Sequence, residues 1–235
     1  MKVVAGSRPQ ALLAVSAGMA GGVARRTTRE NLPPTCMKTM TLPPVLIDVA
    51  ESFETRRLRA RVPRHGDGAI FHEALVETLL DLRRFVGSLS WVAAEPTIDV
   101  AEAFCRNAFG NFHSRRDLPY LVFEKESDRF IGVCGMHRPE WAVPKVELGF
   151  WCRKSAQGNG FIGEAVRAIT DLAINDLKAQ RVEMSIDEFN QPSRRVAELC
   201  GFELEGIMKN CRRGEDGSLR NTCIYARTRA LAPLA

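Results

Sequence analysis

The chain has 235 residues, of which 45% are hydrophobic and 26% are charged, and its formal net charge is +5. This length and apolar content exclude a disordered or fibrous chain and favour one globular domain with an appendage. The basic excess lies in residues 1–40, where six Lys or Arg residues accompany one acidic residue, whereas the remainder carries 27 of each sign. The body is therefore neutral, and its charge gives no support for binding nucleic acid.

The cysteine spacing argues against a disulfide framework or a zinc protein. The seven cysteines are odd in number, and no two of them have Cys-x-x-Cys spacing. We therefore expect no metal site. Reduced thiols predict a cytoplasmic location.

Residues 1–50 are predicted to form a disordered or leader segment, and residues 51–235 the folded domain. Residues 11–24 are small and apolar and have basic neighbours, which resembles a signal-peptide core or an organelle transit peptide. The apolar stretch is too short to cross a membrane. An upstream start, with Met37 or Met40 as the true first residue, is the alternative.

The folded part is predicted to begin with one strand and two helices. Residues 54–62 have the length of a strand, which Gly66-Asp67-Gly68 ends. Apolar residues at helical spacing then predict helices over 69–82 and 98–112.

Strands dominate the rest of the chain. Two β-rich runs at 120–124 and 129–136 flank a polar turn and predict a hairpin. The run 146–152 is almost continuously apolar, which is typical of a central strand. The pattern then predicts a helix over 160–179, a strand over 181–186 and a helix over 190–200. It ends with an antiparallel pair of strands, 202–208 and 221–229.

The loop between the central strand and the next helix has the composition of an anion site. It reads Gln157-Gly158-Asn159-Gly160-Phe161-Ile162. Unpaired N–H groups in the first turn of a helix point outward, and the helix dipole favours negative charge there. Glycines let a phosphate approach the backbone, so the loop could hold a pyrophosphate.

Two other interpretations compete for this loop, and the position of the loop in the chain argues against the first. Residues 158–163 also spell Gly-x-Gly-x-x-Gly, the dinucleotide fingerprint, and Asp187 follows at a suitable distance for a ribose carboxylate. A doubly wound domain needs several more βα units than the remaining residues provide. The second interpretation is a purely structural glycine turn.

Further segments accompany this loop in a fixed order. They are Glu147-Leu148-Gly149-Phe150-Trp151 before it, then Asn190-Gln191-Pro192-Ser193-Arg194-Arg195-Val196, Cys200-Gly201-Phe202, Leu204-Glu205-Gly206-Ile207-Met208-Lys209 and Tyr225-Ala226-Arg227 after it. The series resembles the GCN5-related N-acetyltransferase (GNAT) superfamily, and most closely its branch that acetylates ribosomal-protein N-termini (RimJ/RimL-like). Residues 55–61 resemble the opening strand of that branch, so the resemblance covers about residues 54–230.

The resemblance implies the fold and the co-substrate. The fold would be the α/β (α+β) GNAT fold, a mixed, mostly antiparallel sheet of six to seven strands with flanking helices. Its fourth and fifth strands would splay apart around the pantetheine arm of acetyl-CoA, and no metal would take part. Residues implied in cofactor binding are the backbone of Phe150, Trp151 and Cys152, the loop Gln157, Gly158, Asn159, Gly160, Phe161 and Ile162, and Asn190 with Ser193 across the splay.

Direct acetyl transfer to an amine requires a group that removes the amine proton. Glu147 is our candidate base, with a structural carboxylate as the alternative. Ser193 would protonate the departing thiolate, and an N–H near Trp151 would polarise the thioester carbonyl. Asn190 and Ser193 could instead form only a helix cap, with Pro192 in the first turn.

The sequence departs from the family pattern in three places, the last of which is a run of three residues. Ile162 stands where relatives have Gly or Ala, and Ala197 stands where many place a tyrosine general acid. Acidic residues that some relatives carry after the Leu-Glu-Gly-x-Met-Lys run are replaced by Cys211, Arg212 and Arg213.

The acceptor is not named by any motif. A protein N-terminus, ribosomal proteins included, an amino acid or an aminoglycoside-like drug all remain open, and so does a homodimer. We expect residues 64–112 and the 209–220 hairpin to form the acceptor groove, with Trp91, Trp141, Arg115 and Arg116 as candidate lining residues. The alternative to an enzyme is a non-catalytic module that binds acyl-CoA. We expect no nucleic-acid or membrane partner.

Overall fold

The computed structural model of the chain describes residues 42–87, 90–214 and 216–229, and eight strands and five α-helices lie within these ranges. The predicted leader up to residue 41 lies outside them. A π-helical segment, Leu172–Asp176, directly continues α4. The strands are β1 (Ser52–Glu54), β2 (Leu58–Arg61), β3 (Asp117–Glu124), β4 (Phe130–Glu140), β5 (Lys145–Cys152), β6 (Arg181–Asp187), β7 (Glu203–Arg213) and β8 (Leu219–Thr228). The helices are α1 (Gly68–Val86), α2 (Ser90–Ala93), α3 (Ile98–His113), α4 (Phe161–Asp171) and α5 (Gln191–Leu199).

The strands form one mixed sheet in the order β1-β2-β3-β4-β5-β6-β8-β7. Every neighbouring pair is antiparallel except β5 and β6, which run parallel. A parallel pair needs a crossover connection, and α4 provides it between these two strands. The sheet is therefore mostly antiparallel, as the resemblance implied, with one parallel step in its middle.

Alternating side chains give the sheet two buried faces. On one face, Leu148 and Met184 pack with Val166 of α4 in the larger core cluster. On the other face, Trp151 and Val133 pack with Phe71 of α1 in a second cluster, which also includes residues of α3. Because Glu147 pairs directly with Glu183, both carboxylates lie on the face that carries α1 and α3.

The central strands splay apart. β5 and β6 pair only through Lys145 with Arg181, Val146 with Val182 and Glu147 with Glu183. Beyond this point β5 continues to pair with β4 as far as Cys152, and β6 continues to pair with β8 as far as Asp187. The two strands therefore enclose an open wedge at their carboxyl ends, with Glu147 where the wedge closes.

The structure differs from the sequence prediction in three elements. The opening strand is two short antiparallel strands, β1 and β2, so the sheet has eight strands instead of six or seven. The predicted helix over 160–179 keeps α-helical form only to Asp171 before the π-helical segment begins. The four-residue helix α2 was not predicted, because one turn gives no periodic signal.

Expectations about cysteines, metals and membranes can be compared only with the described ranges. The six cysteines there are free thiols. In the same ranges no three His, Cys, Asp or Glu side chains lie close enough to hold a metal ion. No helix of the described part is long and apolar enough to cross a membrane.

The segment just before β1 packs on the domain, although it falls within the predicted leader. Ile47 and Val49 contact the larger core cluster. The hydroxyl of buried Tyr120 donates a 2.7 Å hydrogen bond to the carbonyl of Ala50. Arg115, predicted to line the acceptor groove, donates to the carbonyl of Ile47 at 2.9 Å. The domain boundary at residue 50 stays a prediction, and these contacts favour an earlier one.

A truncation series tests the boundary. A chain that begins at Met40 should keep its stability, because all of these contacts remain. A chain that begins at Glu51 should melt about 5–10 °C lower, since it loses two apolar contacts and leaves the Tyr120 hydroxyl buried without its acceptor. Calorimetric melting of both chains makes the comparison, and equal melting temperatures would show that residues 42–50 do not contribute.

Candidate active site

The backbone of β5 presents hydrogen-bonding groups to the wedge. The N–H of Arg153 donates to the carbonyl of Ile131 on β4 at 2.8 Å, and Trp151 pairs with Val133 two residues earlier. In an antiparallel ladder the N–H and the C=O of one residue point to the same edge of the strand, and those of the next residue point to the opposite edge. The amide of Trp151 therefore faces β4, while those of Phe150 and Cys152 face the wedge. The N–H groups near Trp151 that face the wedge are therefore those of its two neighbours, and their proposed action on the thioester stays a prediction.

The side chain of Trp151 has a structural position. It is buried among aromatic rings, with centroids 5.6 Å from Phe71, 5.9 Å from Phe130 and 6.4 Å from Trp91. Its indole nitrogen is buried and has no hydrogen-bond partner in the described ranges. Trp151 therefore anchors β5 to α1, and Trp91 belongs to the same aromatic cluster.

The glycine loop follows β5 after one short 3-10 turn, Lys154–Ala156, and opens at the wide end of the wedge. Gly158 and Gly160 have φ values of 81° and 73°, in the left-handed region that favours glycine. The Asn159 side chain donates to the carbonyls of Ala156 and Gln157, both at 3.2 Å, which holds the turn. Residues 157–160 are exposed.

The start of α4 offers a row of free donors. Its first helical bond runs from the N–H of Glu164 to the carbonyl of Gly160 at 3.1 Å. The N–H groups of residues 158–163 donate to no atom of the described chain. Free donors at a helix start, together with the dipole, form the arrangement that binds phosphate. Phe161 and Ile162 both begin this helix.

An arginine that sequence reasoning missed holds the loop in place. The Arg57 guanidinium donates to Glu164 at 2.7 Å and to the carbonyl of Asn159 at 3.0 Å. It also lies over the Phe161 ring, 4.6 Å from the centroid. Arg57 thus fixes the loop to the first turn of α4 and adds positive charge beside it. No local pattern reveals this contact, because more than a hundred residues separate Arg57 from Glu164.

Glu164 is the carboxylate on which these contacts converge. Burial alone would raise its pKa, but hydrogen bonds from the Thr55 hydroxyl at 2.5 Å and from the backbone and side chain of Arg57 lower the pKa to about 2. Its position in the first turn of α4 adds a favourable dipole interaction. The ionised form therefore stabilises the junction of β2, the loop and α4.

A pH series on Glu164→Gln tests this assignment. The folded-state pKa is depressed, so its contribution is complete above the ordinary pKa of 4.5 and is lost as the pH falls from there towards 2. We expect the variant to lose about 1–3 kcal/mol of unfolding free energy at pH 7, and the difference to shrink below pH 4.5. Urea unfolding at several pH values measures this difference in unfolding free energy between the variant and the wild type. Glu126→Gln, an exposed carboxylate without a partner in the described ranges, is the control, and a pH-independent difference would contradict the assignment.

Glu147 lies where the wedge closes and is largely buried, with 16% of its side chain exposed. Its carboxylate forms an ion pair with Arg138, a residue with 74% of its side chain exposed. The next β5 residue on that face is Gly149, whose lack of a side chain leaves room for the ring of a residue on β4. The structure therefore places a carboxylate beside the wedge, held by a partner that solvent can reach.

A second proton acceptor lies beside Glu147 and was also missed. His137 pairs with Glu147 across β4 and β5, and its imidazole occupies the space above Gly149, where a Cβ would come within 2.8 Å of Nε2. Nδ1 of His137 lies 3.3 Å from a carboxylate oxygen of Asp117. Nε2 contacts no hydrogen-bonding group of the described chain. Only the strand register reveals this pair, because a single histidine in a strand gives no sequence signal.

Ser193 and Asn190 lie at the start of α5, which follows β6. The Asn190 side chain caps the helix by accepting a 3.2 Å hydrogen bond from the N–H of Ser193. The predicted cap is therefore present, with Pro192 in the first turn. The Ser193 hydroxyl makes no hydrogen bond within the described ranges. Both residues stand on the β6 side of the wedge, opposite the β5 amides.

An open cavity of about 500 Å³ lies between the end of α1 and the β7–β8 hairpin. Four arginines line it, Arg83 and Arg84 from α1 and Arg212 and Arg213 from β7. Asp187, the last residue of β6, also lines it and lies on the same sheet face as Glu147. The cavity thus adjoins the wide end of the wedge, between the two regions expected to form the acceptor groove.

Comparisons with known proteins agree with this architecture. A family model described as "Acetyltransferase (GNAT) domain" matches residues 57–203. The ribosomal-protein-serine acetyltransferase of Escherichia coli is 31% identical over 90 residues, covering 38% of this chain and 49% of that protein. The probable N-acetyltransferase YjcK of Bacillus subtilis is 34% identical over 89 residues, covering 37% and 49%. The chain spans about half the length of these curated relatives.

Solved structures share the fold at low sequence identity. RimL, a ribosomal L7/L12 α-N-protein acetyltransferase in complex with coenzyme A, has a TM-score of 0.70 and 20% identity, covering 76% of this chain and 98% of that one. The microcin C7 self-immunity acetyltransferase MccE, in complex with acetyl-CoA and AMP, has a TM-score of 0.67 and 17% identity, covering 74% and 94%. At these identities the likeness establishes the fold alone.

Proposed function

Because the chain belongs to the acetyltransferase (GNAT) domain family, we propose that it transfers an acetyl group from acetyl-CoA to a primary amine. The observation that carries this proposal is the wedge between β5 and β6, with a glycine loop and free helix amides at its wide end. Gln157 to Ile162 would hold the pyrophosphate, and the amides of Phe150 and Cys152 would pair with the pantetheine arm as an added strand does. Asn190 and Ser193 would contact the arm from the β6 side.

The chemistry assigned to the residues follows from their positions. Glu147 takes the proton of the attacking amine as the new C–N bond forms and the C–S bond breaks. Ser193 gives a proton to the departing thiolate and regains one from solvent. The ion pair with Arg138 occupies one oxygen of Glu147 and leaves the other to act.

His137 is the second group that the geometry offers for proton removal. Its Nδ1 faces a carboxylate, an arrangement that orients the ring and leaves Nε2 as the acceptor. Nε2 lies over β5 on the same face as Glu147. The two assignments differ in their expected mutant rates, which separates them experimentally.

The acceptor proposed first is a protein N-terminus, which relatives named as ribosomal-protein acetyltransferases support. An amino acid or aminoglycoside-like amine is the alternative. Since acetyl-CoA is an intracellular metabolite, we place the reaction in the cytoplasm, with residues 51–235 as the catalytic domain.

A screen for CoA release tests the function. The full chain is incubated with acetyl-CoA and a panel of ribosomal-protein N-terminal peptides, amino acids and aminoglycosides, and free CoA is measured over the rate without acceptor. Release that requires one class of amine would support transfer and identify the acceptor. Tight CoA binding without release for any amine would favour the non-catalytic alternative.

A further inference from the structure

The cavity beside the wedge has an unusual charge for a chain whose body is neutral. Its lining includes four arginines and one aspartate. Within the described ranges no carboxylate lies within 4.0 Å of any of these arginine side chains. Asp187, the single acid, is buried and accepts a 2.9 Å hydrogen bond from the N–H of Phe189. Among the residues that the structure describes, these guanidinium charges therefore have no carboxylate partner.

Backbone contacts hold two of these arginines in defined positions. Arg83 donates to the carbonyls of Val92 and Ala94 at 3.3 and 3.4 Å. Arg212 donates to the carbonyl of Phe85 at 3.2 Å, which joins the hairpin to α1. A guanidinium has five N–H donors, so each arginine keeps donors for a ligand. Contacts within the chain therefore position these two guanidinium groups.

The other two arginines reach further into solvent. Arg84 lies over the ring of Phe85, 5.2 Å from its centroid, and Arg213 donates to the carbonyl of Gly217 at 2.6 Å. Gathering four like charges around one opening is unfavourable unless an anion occupies it. A concave surface of one sign also concentrates opposite charge from solution. Both effects favour an anionic occupant.

We propose that this arginine-lined cavity binds an acidic group of the acceptor, so that the protein acetylates amines that carry carboxylates or phosphates close to the amino group. The proposal rests on the proposed function, because it assigns the acceptor class of the same site. Guanidinium groups bind carboxylate and phosphate through paired hydrogen bonds, which neutral acceptors cannot match. Asp187, which lines the cavity, lies on the same sheet face as Glu147, so an acid held here would keep a nearby amine on the side of the sheet that carries the candidate base.

Matched acceptors test the proposal. Peptides beginning Ser-Asp-Glu, Ser-Asn-Gln and Ser-Lys-Lys share one N-terminal residue and differ in charge, while glutamate and O-phosphoethanolamine represent small anionic amines. We expect kcat/KM for the acidic peptide to exceed that for its amide counterpart at least tenfold, and to fall with added salt. If glutamate or O-phosphoethanolamine is acetylated as efficiently as the acidic peptide, the natural acceptor is a small anionic metabolite and not a protein N-terminus. Equal rates for the acidic and amide peptides, or preference for the basic one, would overturn the proposal.

Substitutions of the cavity arginines provide a second test of the proposal. Arg84→Ala and Arg213→Ala alter exposed side chains, and together they should raise KM for the acidic peptide about tenfold or more without changing KM for acetyl-CoA. Arg59→Ala removes an exposed arginine on β2, paired with Asp128, and serves as the control. Melting temperatures establish that each variant is folded. An unchanged KM for the acidic peptide in the double variant would contradict the assignment.

Direct binding separates this inference from the proposed function. Calorimetry of the acidic peptide with the CoA-bound protein needs no turnover. Arginine-dependent binding without acetylation of any amine would retain the cavity assignment and reject the transferase. Acetylation of neutral amines without arginine-dependent binding would retain the transferase and reject the cavity assignment.

Discussion

Glu147→Gln should lower kcat by about 10² to 10⁴, while the affinity for acetyl-CoA stays nearly unchanged. The amide keeps the size of the side chain but cannot take a proton, so the loss would fall on the chemical step. Steady-state rates at saturating acceptor and calorimetry with CoA measure the two quantities. The wedge and the loop do not depend on this carboxylate for their shape, which is why binding should survive.

Two variants make the result specific. Glu183→Gln is the matched control, because Glu183 pairs with Glu147 across the closed end and lies on the same face. His137→Gln tests the second proton acceptor. If His137→Gln loses the rate and Glu147→Gln keeps it, the imidazole is the base and Glu147 is structural. A wild-type rate in both variants would leave water as the proton acceptor and remove both assignments.

Gly160→Val should abolish measurable CoA binding. Gly160 has a φ of 73° at the N-cap of α4, a conformation that costs a β-branched residue at least about 1–2 kcal/mol. The branched side chain would also stand where a phosphate approaches the backbone, beside Arg57 Nη2, which lies in ordinary contact at 3.6 Å from the position of its Cβ. Calorimetry with CoA compares the affinities, after circular dichroism has established that the variant is folded.

The neighbouring glycine supplies the control for this loop. Gly163 lies in the first turn of α4 at an ordinary helical φ, and a Cβ there would meet only the flexible end of Arg167 at 3.9 Å. Gly163→Ala keeps the backbone N–H and should bind CoA as the wild type does. Equal affinities of Gly160→Val and the wild type would remove the pyrophosphate assignment from this loop.

Features formed by residues that are close together in the sequence could be predicted. The apolar run before Cys152, the glycines at 158 and 160 and the periodic residues after them lie within a few turns of each other, so strand, loop and helix could all be predicted. The short strand β1 has only three residues, which is below the length at which alternation is visible. The splay of the central strands was predicted from the family resemblance and not from hydrophobic periodicity.

Contacts between distant segments could not be predicted. Arg57 and Glu164 meet only because β2 and α4 are neighbours in the fold. The direction of the Trp151 amide depends on the register with β4, since moving by one residue reverses which edge an amide faces. The basic cavity combines residues of α1 and β7 that lie far apart in sequence. Each of these features depends on register or packing, which no single segment contains.

The short pairing of β5 with β6 also shapes how stability is distributed. β1 to β5 form one continuous hydrogen-bonded ladder, and β6 to β8 form another, but three residue pairs alone join the two ladders within the described sheet. Local opening requires the least free energy where the fewest buried bonds must break. This seam is therefore the weak joint between the two halves of the sheet. A ligand whose arm bonds to both edges adds contacts between the two halves of the sheet, where the protein itself has few, and so stabilises the whole domain.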